Sequence, residues 1–166
     1  MGGDPSEIVE RQLGRRVENF SRVVRLCPRG KPVVIESLPE KSGKPFPTLY
    51  WLTCPHLRRE VSRLEEKGLI SEFEKRIEMD PSFREELFRA HEEVKRRRRE
   101  LVETGWIREV LENVGSGGIK DLTKVKCLHL HLADFLAGVN NPIGREVWNM
   151  IKEKECDEPP RECEEI

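Results

Sequence analysis

The sequence has few amide side chains and no long apolar run. Gln12 is the one glutamine among 166 residues and threonine occurs four times, whereas charged residues make up 37% of the chain. This balance is typical of heat-adapted proteins, so we expect growth at high temperature. No apolar stretch approaches the roughly 20 residues that a membrane-spanning helix needs, and the start lacks the apolar core of a signal peptide. We therefore expect a cytoplasmic protein that stays outside membranes.

An excess of one charge sign is also absent. Thirty Lys and Arg residues almost cancel 31 Asp and Glu residues, so no overall field draws the protein to nucleic acid, which we do not expect as a partner. The length suits one domain with a sizeable core. We expect a single α+β domain over residues 1–154 and a charged tail containing Cys and Pro over residues 155–166.

Apolar periodicity predicts the fold class. After a short N-terminal helix, β-rich runs at residues 20–26, 33–37 and 48–52 are separated by connectors rich in Pro and Gly, which predicts an antiparallel meander. From Pro55 the period changes from two to about 3.6, and the longest helix begins at an Asp80 cap. We expect a small sheet of about three strands packed against roughly five or six α-helices.

The stretch KVKCLHLHLADFLAG, residues 124–138, concentrates metal-binding residue types. On a helical wheel Cys127 and His131 lie in one row opposite the leucines, and His129 lies at the edge of the apolar stripe. Residues at i and i+4 can reach the same metal ion. We therefore take Cys127, His129 and His131 as candidate metal ligands.

Further ligands must come from other segments of the chain. The CPRG turn supplies Cys27, and the TCPH string at the predicted start of the helical half supplies Cys54 and His56. Together with the KCLHLH string they predict a Cys/His pocket that suits zinc or an iron–sulfur group. On the competing interpretation these thiols are small buried residues, because free cysteine is among the most buried residue types and no CxxC pair is present.

The two remaining cysteines stand in the predicted tail. Intracellular proteins of heat-adapted organisms can contain disulfides, so Cys156 and Cys163 are candidates for pairing with each other. The total of five cysteines leaves at least one thiol without an intramolecular partner.

Three strings resemble a known family. The runs CPRGKPVVI, GKPFPTLYWLTCPHLRREVSRLE and VKCLHLHLADFLAG followed by NPIG are similar to the bacterial proteins grouped as domain of unknown function five hundred and one. The resemblance covers about residues 10–150 and implies a cytoplasmic bacterial protein without an established activity. The resemblance implies that members of the family can have His where this chain has Cys54, which favours a metal ligand there. It also implies that members can have apolar residues at the position of His131, which favours His129 as the partner of Cys127, and both histidines stay candidates.

Two other functions are open at this point. Cys54 precedes Pro55 at a predicted helix start, where a thiol nucleophile with His56 or His129 as its base would suit a thiol-dependent enzyme. The glycine-rich loop before residue 124 suits an anion site, whose candidate residues are Gly117, Gly118, Lys120 and Lys124.

The basic run KRRRRE also suits contact with a phosphate backbone, so residues 95–99 and 115–126 together form the predicted anion or nucleic-acid module. Glutamates at i+3 and i+4 spacing favour internal ion pairs on a solvated helix face instead. His91, on the same helix, is predicted to be a surface residue.

Overall fold

The structure is a computed structural model in which residues 4–164 are described, and it has an α+β arrangement. Residues 4–164 contain seven α-helices, a three-stranded sheet and a two-stranded sheet. The helices are α1 (Pro5–Leu13), α2 (Pro55–Glu66), α3 (Leu69–Met79), α4 (Pro81–Leu101), α5 (Gly105–Glu112), α6 (Leu128–Leu136) and α7 (Pro142–Met150). The strands are β1 (Phe20–Leu26), β2 (Pro32–Ser37), β3 (Glu40–Lys41), β4 (Lys44–Pro45) and β5 (Tyr50–Leu52).

The main sheet is the predicted antiparallel meander, with β2 between β1 and β5. Val34 pairs with Leu52 and Ile35 with Trp51, which fixes the register of the inner strands. Every residue of β2 is buried. Strands β1 and β5 pair with its two edges, and α1 also packs against it. The small β3–β4 hairpin is inserted between β2 and β5. The predicted α+β class is confirmed.

Five helices, α2, α3, α4, α6 and α7, bury one apolar core against the sheet, and α5 contributes to a second, smaller cluster. The fully buried members of the core include Val61 from α2, Leu87 and Val94 from α4, and Leu132 from α6. These residues recur at helical spacing, so each helix turns one apolar stripe inward. Within residues 4–164, no helix is both long and apolar enough to cross a bilayer.

The start of α6 differs from the helical wheel predicted for residues 124–138, and the start of α7 is set by a side-chain cap. Cys127 has extended backbone angles and is the residue before α6, so it does not share a helical row with His131. The Asn141 side chain accepts a hydrogen bond from the Gly144 N–H at 3.0 Å, and Pro142 is the first residue of α7. This cap sets the start of α7 at Pro142.

The chain after α7 folds back onto the start of the molecule. It ends in a short 3₁₀ turn at Arg161–Cys163, which packs against α1. Arg29 in the β1–β2 turn donates hydrogen bonds to the carbonyl oxygens of Cys156 and Asp157 at 3.0 and 2.8 Å. Residues 165–166 of the predicted tail lie outside the described part of the chain.

Candidate functional site

The candidate metal ligands form two separate groups. Cys27 and Cys54 line one cavity, and Cys127 and His129 line another. Both cavities border the first turns of α2, because Leu57 lines the first cavity and Arg58 lines the second. The sequence predicts one shared pocket, whereas the fold divides its members between these two cavities.

The other two predicted histidines lie outside both groups. The His56 Nε2 atom is 2.6 Å from the carbonyl oxygen of Glu153, in the segment after α7. His131 is buried in the core, where its Nδ1 is 2.8 Å from Asn141 Nδ2. A metal shared with Cys127 would therefore use His129.

A glutamate completes the group at the start of α6. One carboxylate oxygen of Glu65, the sulfur of Cys127 and one ring nitrogen of His129 all lie within 4.8 Å of one another. Glu65 belongs to the last turn of α2. Its Oε2 accepts a hydrogen bond from the backbone N–H of Leu128 at 2.8 Å, so the same carboxylate satisfies a free donor at the start of α6. This bond holds the carboxylate beside the other two donor atoms.

The His129 ring is oriented by a backbone carbonyl. Its Nε2 lies 3.1 Å from the carbonyl oxygen of Arg58, and its Nδ1 lies 3.4 Å from Glu65 Oε2. A carbonyl oxygen can only accept, so Nε2 carries the hydrogen in this contact. In a neutral ring Nδ1 then turns its lone pair toward Glu65 and Cys127. Histidine ligands of metals are commonly fixed in this way by a carbonyl or carboxylate.

A basic cavity adjoins this group. It has a volume of about 410 Å³, and its wall includes Cys127 and His129. Arg15, Arg58 and Lys126 line it, and none of its lining residues is acidic. The Arg15 guanidinium lies 4.6 Å from the centre of the Trp51 ring, which is also part of the wall. Cations collected in one cleft attract anions, so this cavity suits a negatively charged ligand.

The second group is made of thiols. Cys27, Cys54, Cys156 and Cys163 all line one cavity of about 120 Å³. Cys27 follows β1, Cys54 precedes α2, and the other two belong to the segment after α7. The predicted tail cysteines therefore lie beside two of the predicted ligands.

Burial disfavours the thiolate form of three candidate cysteines. It raises the pKa of Cys54, of Cys127 and of Cys163 above the ordinary thiol value. At Cys54 the backbone N–H groups of Leu57 and His56 lower the pKa in part. Thiolate is the reactive form, so a raised pKa disfavours Cys54 as a catalytic nucleophile at neutral pH.

A third polar cluster lies in the core between α4, α6 and the loop before α6. Ser116 donates its hydroxyl hydrogen to Asp134 Oδ2 at 2.5 Å, and its backbone N–H to His91 Nδ1 at 3.0 Å. The His91 and His131 rings meet edge to face with centres 6.1 Å apart. No cavity described above opens onto this cluster, so we assign it a structural role.

The surface location predicted for His91 was wrong, because only 1% of this residue is exposed. The signal was present in the sequence. Leu87, His91, Val94 and Arg98 follow one another at spacings of four, three and four, which is the pattern of one inward helix face. The polar residue types concealed this stripe.

The basic run is largely paired within the protein, as its spacing predicts. Arg96 bonds Glu93 and Glu100, and Arg99 bonds Glu112. Arg98 differs, because its buried guanidinium donates to the carbonyl oxygens of Pro47, Leu111, Val114 and Gly115. Nucleic-acid binding through residues 95–99 would need the exposed pairs to break.

The predicted anion-binding residues lie around the loop that Arg98 holds. Gly117 is buried, and a side chain there would meet Leu130 Cδ2 at 2.6 Å. Lys120 and Lys124 are exposed, as Gly118 is in part. The Gly117 carbonyl oxygen accepts a hydrogen bond from Lys126 at 3.1 Å. Anion binding by this loop stays a prediction.

Comparison with known sequences gives the family. Residues 23–149 match the family model described as protein of unknown function (DUF501). The chain belongs to the DUF501 family. The resemblance read from the CPRG, LTCPH and KCLH strings is thereby confirmed. No curated protein and no solved structure has a significant match to this DUF501 chain.

The matched range separates the two groups of candidate ligands. It includes Glu65, Cys127 and His129. Of the thiols in the smaller cavity, Cys27 and Cys54 fall within it, whereas the two cysteines after α7 follow it. The Glu/Cys/His group thus belongs wholly to the DUF501 part of the chain.

Proposed function

We propose that this protein binds a zinc ion through Glu65, Cys127 and His129, and that the ion faces an anionic ligand in the basic cavity. The observation that carries the proposal is the approach of three donor atoms to within 4.8 Å of one another. Carboxylate oxygen, thiolate sulfur and imidazole nitrogen are all zinc ligands. One thiolate and one carboxylate also balance the charge of a divalent ion.

The number of protein ligands supports an open site. Structural zinc is almost always held by four protein ligands, whereas catalytic zinc has three and leaves a position for water or substrate. Cys127 and His129 form part of the wall of the 410 Å³ cavity, so that position would be reached from it. The adjoining Arg15, Arg58 and Lys126 favour a phosphate or carboxylate group as the ligand.

Metal analysis of matched variants tests the metal. Glu65→Gln keeps an oxygen that accepts the Leu128 N–H but removes the charge, and Glu66→Gln is its control on the neighbouring, exposed position. We expect Glu65→Gln and Cys127→Ser each to lose one zinc per chain, measured by mass spectrometry of the intact protein and by elemental analysis. Glu66→Gln should retain the zinc of the wild type. Equal zinc in all four proteins would contradict zinc binding by Glu65 and Cys127.

Anion binding is tested separately with inorganic phosphate. We expect calorimetric titration to show binding to the zinc-loaded protein that weakens with added salt and is reduced several-fold in Lys126→Met. Undiminished binding by that variant would contradict the assignment of the cavity. Arg89→Met, which changes an exposed arginine of α4, serves as the control.

A further inference from the structure

The smaller cavity brings cysteines together from distant parts of the chain. Its four thiols come from the β1–β2 turn, the residue before α2 and the segment after α7. Prolines from the same segments form much of the remaining wall, and they are Pro28, Pro32, Pro159 and Pro160. Four of the five cysteines of the chain thus line this one cavity.

Three of the four sulfurs in this cavity have an N–H donor within hydrogen-bond distance. The Lys31 backbone N–H lies 3.4 Å from Cys27 Sγ and the Gln12 amide lies 3.2 Å from Cys163 Sγ. Arg29 Nη1 lies 2.9 Å from Cys156 Sγ.

At the fourth sulfur, the backbone N–H groups at the start of α2 face Cys54. A neutral thiol is a weak acceptor, whereas hydrogen bonds to sulfur are a regular feature around metal thiolates. The donors are thus placed for sulfur that has lost its proton.

The charged side chains around the cavity are mostly positive, which stabilises thiolates. Arg29, Lys31 and Lys154 line it, against the single acidic residue Glu155. Four thiolates around a divalent ion leave a net charge of about minus two, which a basic wall stabilises. The side chains therefore suit a bound metal thiolate better than a set of neutral thiols.

We propose that Cys27, Cys54, Cys156 and Cys163 form a tetrathiolate zinc centre, which ties the segment after α7 to the β1–β2 turn and to the start of α2. Each thiol releases its proton to solvent as its sulfur binds the ion. With Zn–S bonds of about 2.3 Å, the sulfurs must approach to roughly 3.8 Å. Among residues 4–164 only the Glu65 group has three donors within 4.8 Å, so these sulfurs draw together on binding.

The segment that carries Cys156 can supply part of this movement. Residues 151–160 contain no helix or strand, and Arg29 and His56 are among their hydrogen-bond partners. A shift of this irregular chain breaks no helical or strand hydrogen bonds, whereas Cys163 is already held in the 3₁₀ turn against α1. Zinc binding would therefore move Cys156 without disturbing the sheet.

The thiol centre is independent of the Glu65 centre. Cys54 and Glu65 stand eleven positions apart at opposite ends of α2, a separation of about 16 Å at 1.5 Å per residue. A change at one centre does not remove a ligand from the other. The two proposals can therefore fail separately.

Zinc counting in the full chain distinguishes them. In the Glu65→Gln background, where the first centre is disabled, we expect one zinc per chain that is lost on adding Cys163→Ser or Cys156→Ser. Adding Cys127→Ser instead should leave that zinc in place. Retention of the zinc in both tail variants would overturn the tetrathiolate centre.

Thiol labelling of the wild type gives a test that does not depend on the folding of a variant. We expect zinc to protect Cys27, Cys54, Cys156 and Cys163 from alkylation together, at one zinc concentration, as read by peptide mass mapping. Iron with acid-labile sulfide in place of zinc would overturn the zinc assignment. A Cys156–Cys163 disulfide in protein purified with reductant, or protection of fewer than four of these thiols, would overturn the centre itself.

Discussion

The Ser116 hydroxyl and the Asp134 carboxyl group share a hydrogen bond of 2.5 Å inside the core. Asp134 is only 1% exposed, and its Oδ1 has no partner among the described residues. Burial raises the pKa of Asp134 to about 7, although Ser116 and Arg98 lower it in part. The folded protein therefore keeps a proton on Asp134 at pH values where the unfolded chain has lost it.

The proton on Asp134 predicts that the free energy of unfolding falls as the pH rises. The contribution of Asp134 is fully present below pH 4 and is lost as the pH rises toward 7, by about 1.4 kcal/mol per unit. Asp134→Asn removes that dependence. We expect urea unfolding at pH 5 and pH 8 to show the wild type losing a few kcal/mol relative to the variant. A constant difference between the two proteins would contradict the buried acid.

The buried His91 predicts the opposite pH dependence, in which the free energy of unfolding falls as the pH falls. Burial lowers the pKa of His91 to about 4, with Lys95 and Arg98 adding to the effect, so the folded ring stays neutral while the unfolded ring is protonated below pH 6.5. Its contribution is present above pH 6.5 and is lost as the pH falls toward 4. His91→Gln should flatten the fall in unfolding free energy across this range. His56→Gln, away from the core cluster, should reproduce the wild-type slope.

The contact of α6 with α7 predicts a sharp response at Gly144. A Cβ atom there would collide with the carbonyl oxygen of His131 and approach Phe135 Cβ to 2.6 Å. Because a backbone atom cannot rotate away, we expect Gly144→Ala to cost about 1 to 3 kcal/mol in chemical unfolding. Gly105→Ala is the control, since nothing lies within 4 Å of its Cβ position. Equal stability of the two variants would contradict the close helix contact.

The buried guanidinium of Arg98 predicts a loss of stability when it is removed. Arg98→Met removes the donor from the carbonyl oxygens of Pro47 and Val114, whereas those of Leu111 and Gly115 still accept from backbone N–H groups. A buried unpaired acceptor costs about 1 to 3 kcal/mol when water cannot replace the donor. We expect a fall in unfolding free energy of at least about 2 kcal/mol. The exposed Arg89→Met should be close to wild type.

Local signals in the sequence were sufficient for the fold class. Pro and Gly in the CPRG connector separate β1 from β2, and the Asp80 side chain caps α4 by accepting the Phe83 N–H at 3.1 Å, as its position before Pro81 predicts. Such signals depend on residues that are adjacent in the sequence. They therefore predict secondary structure without knowledge of the tertiary contacts.

The candidate sites were predicted only in part, because their remaining members meet through tertiary contacts. Glu65 lies in a charge-rich helix where nothing distinguishes it from Glu66, and only the packing of α2 on α6 brings it to Cys127. Cys156 and Cys163 stand in a segment whose composition is typical of a loose tail. The contact that returns this segment to α1 has no local signature.

The Asn141 side chain has one further effect. Its Oδ1 already accepts the Gly144 N–H, so the amide must present its NH₂ group to His131 Nδ1. A neutral His131 ring then carries its hydrogen on Nε2, and His91, whose Nδ1 accepts from Ser116, carries its own there too. Both buried rings are thereby fixed as the same tautomer. A residue that starts one helix thus decides which nitrogen is protonated in a ring on the preceding helix.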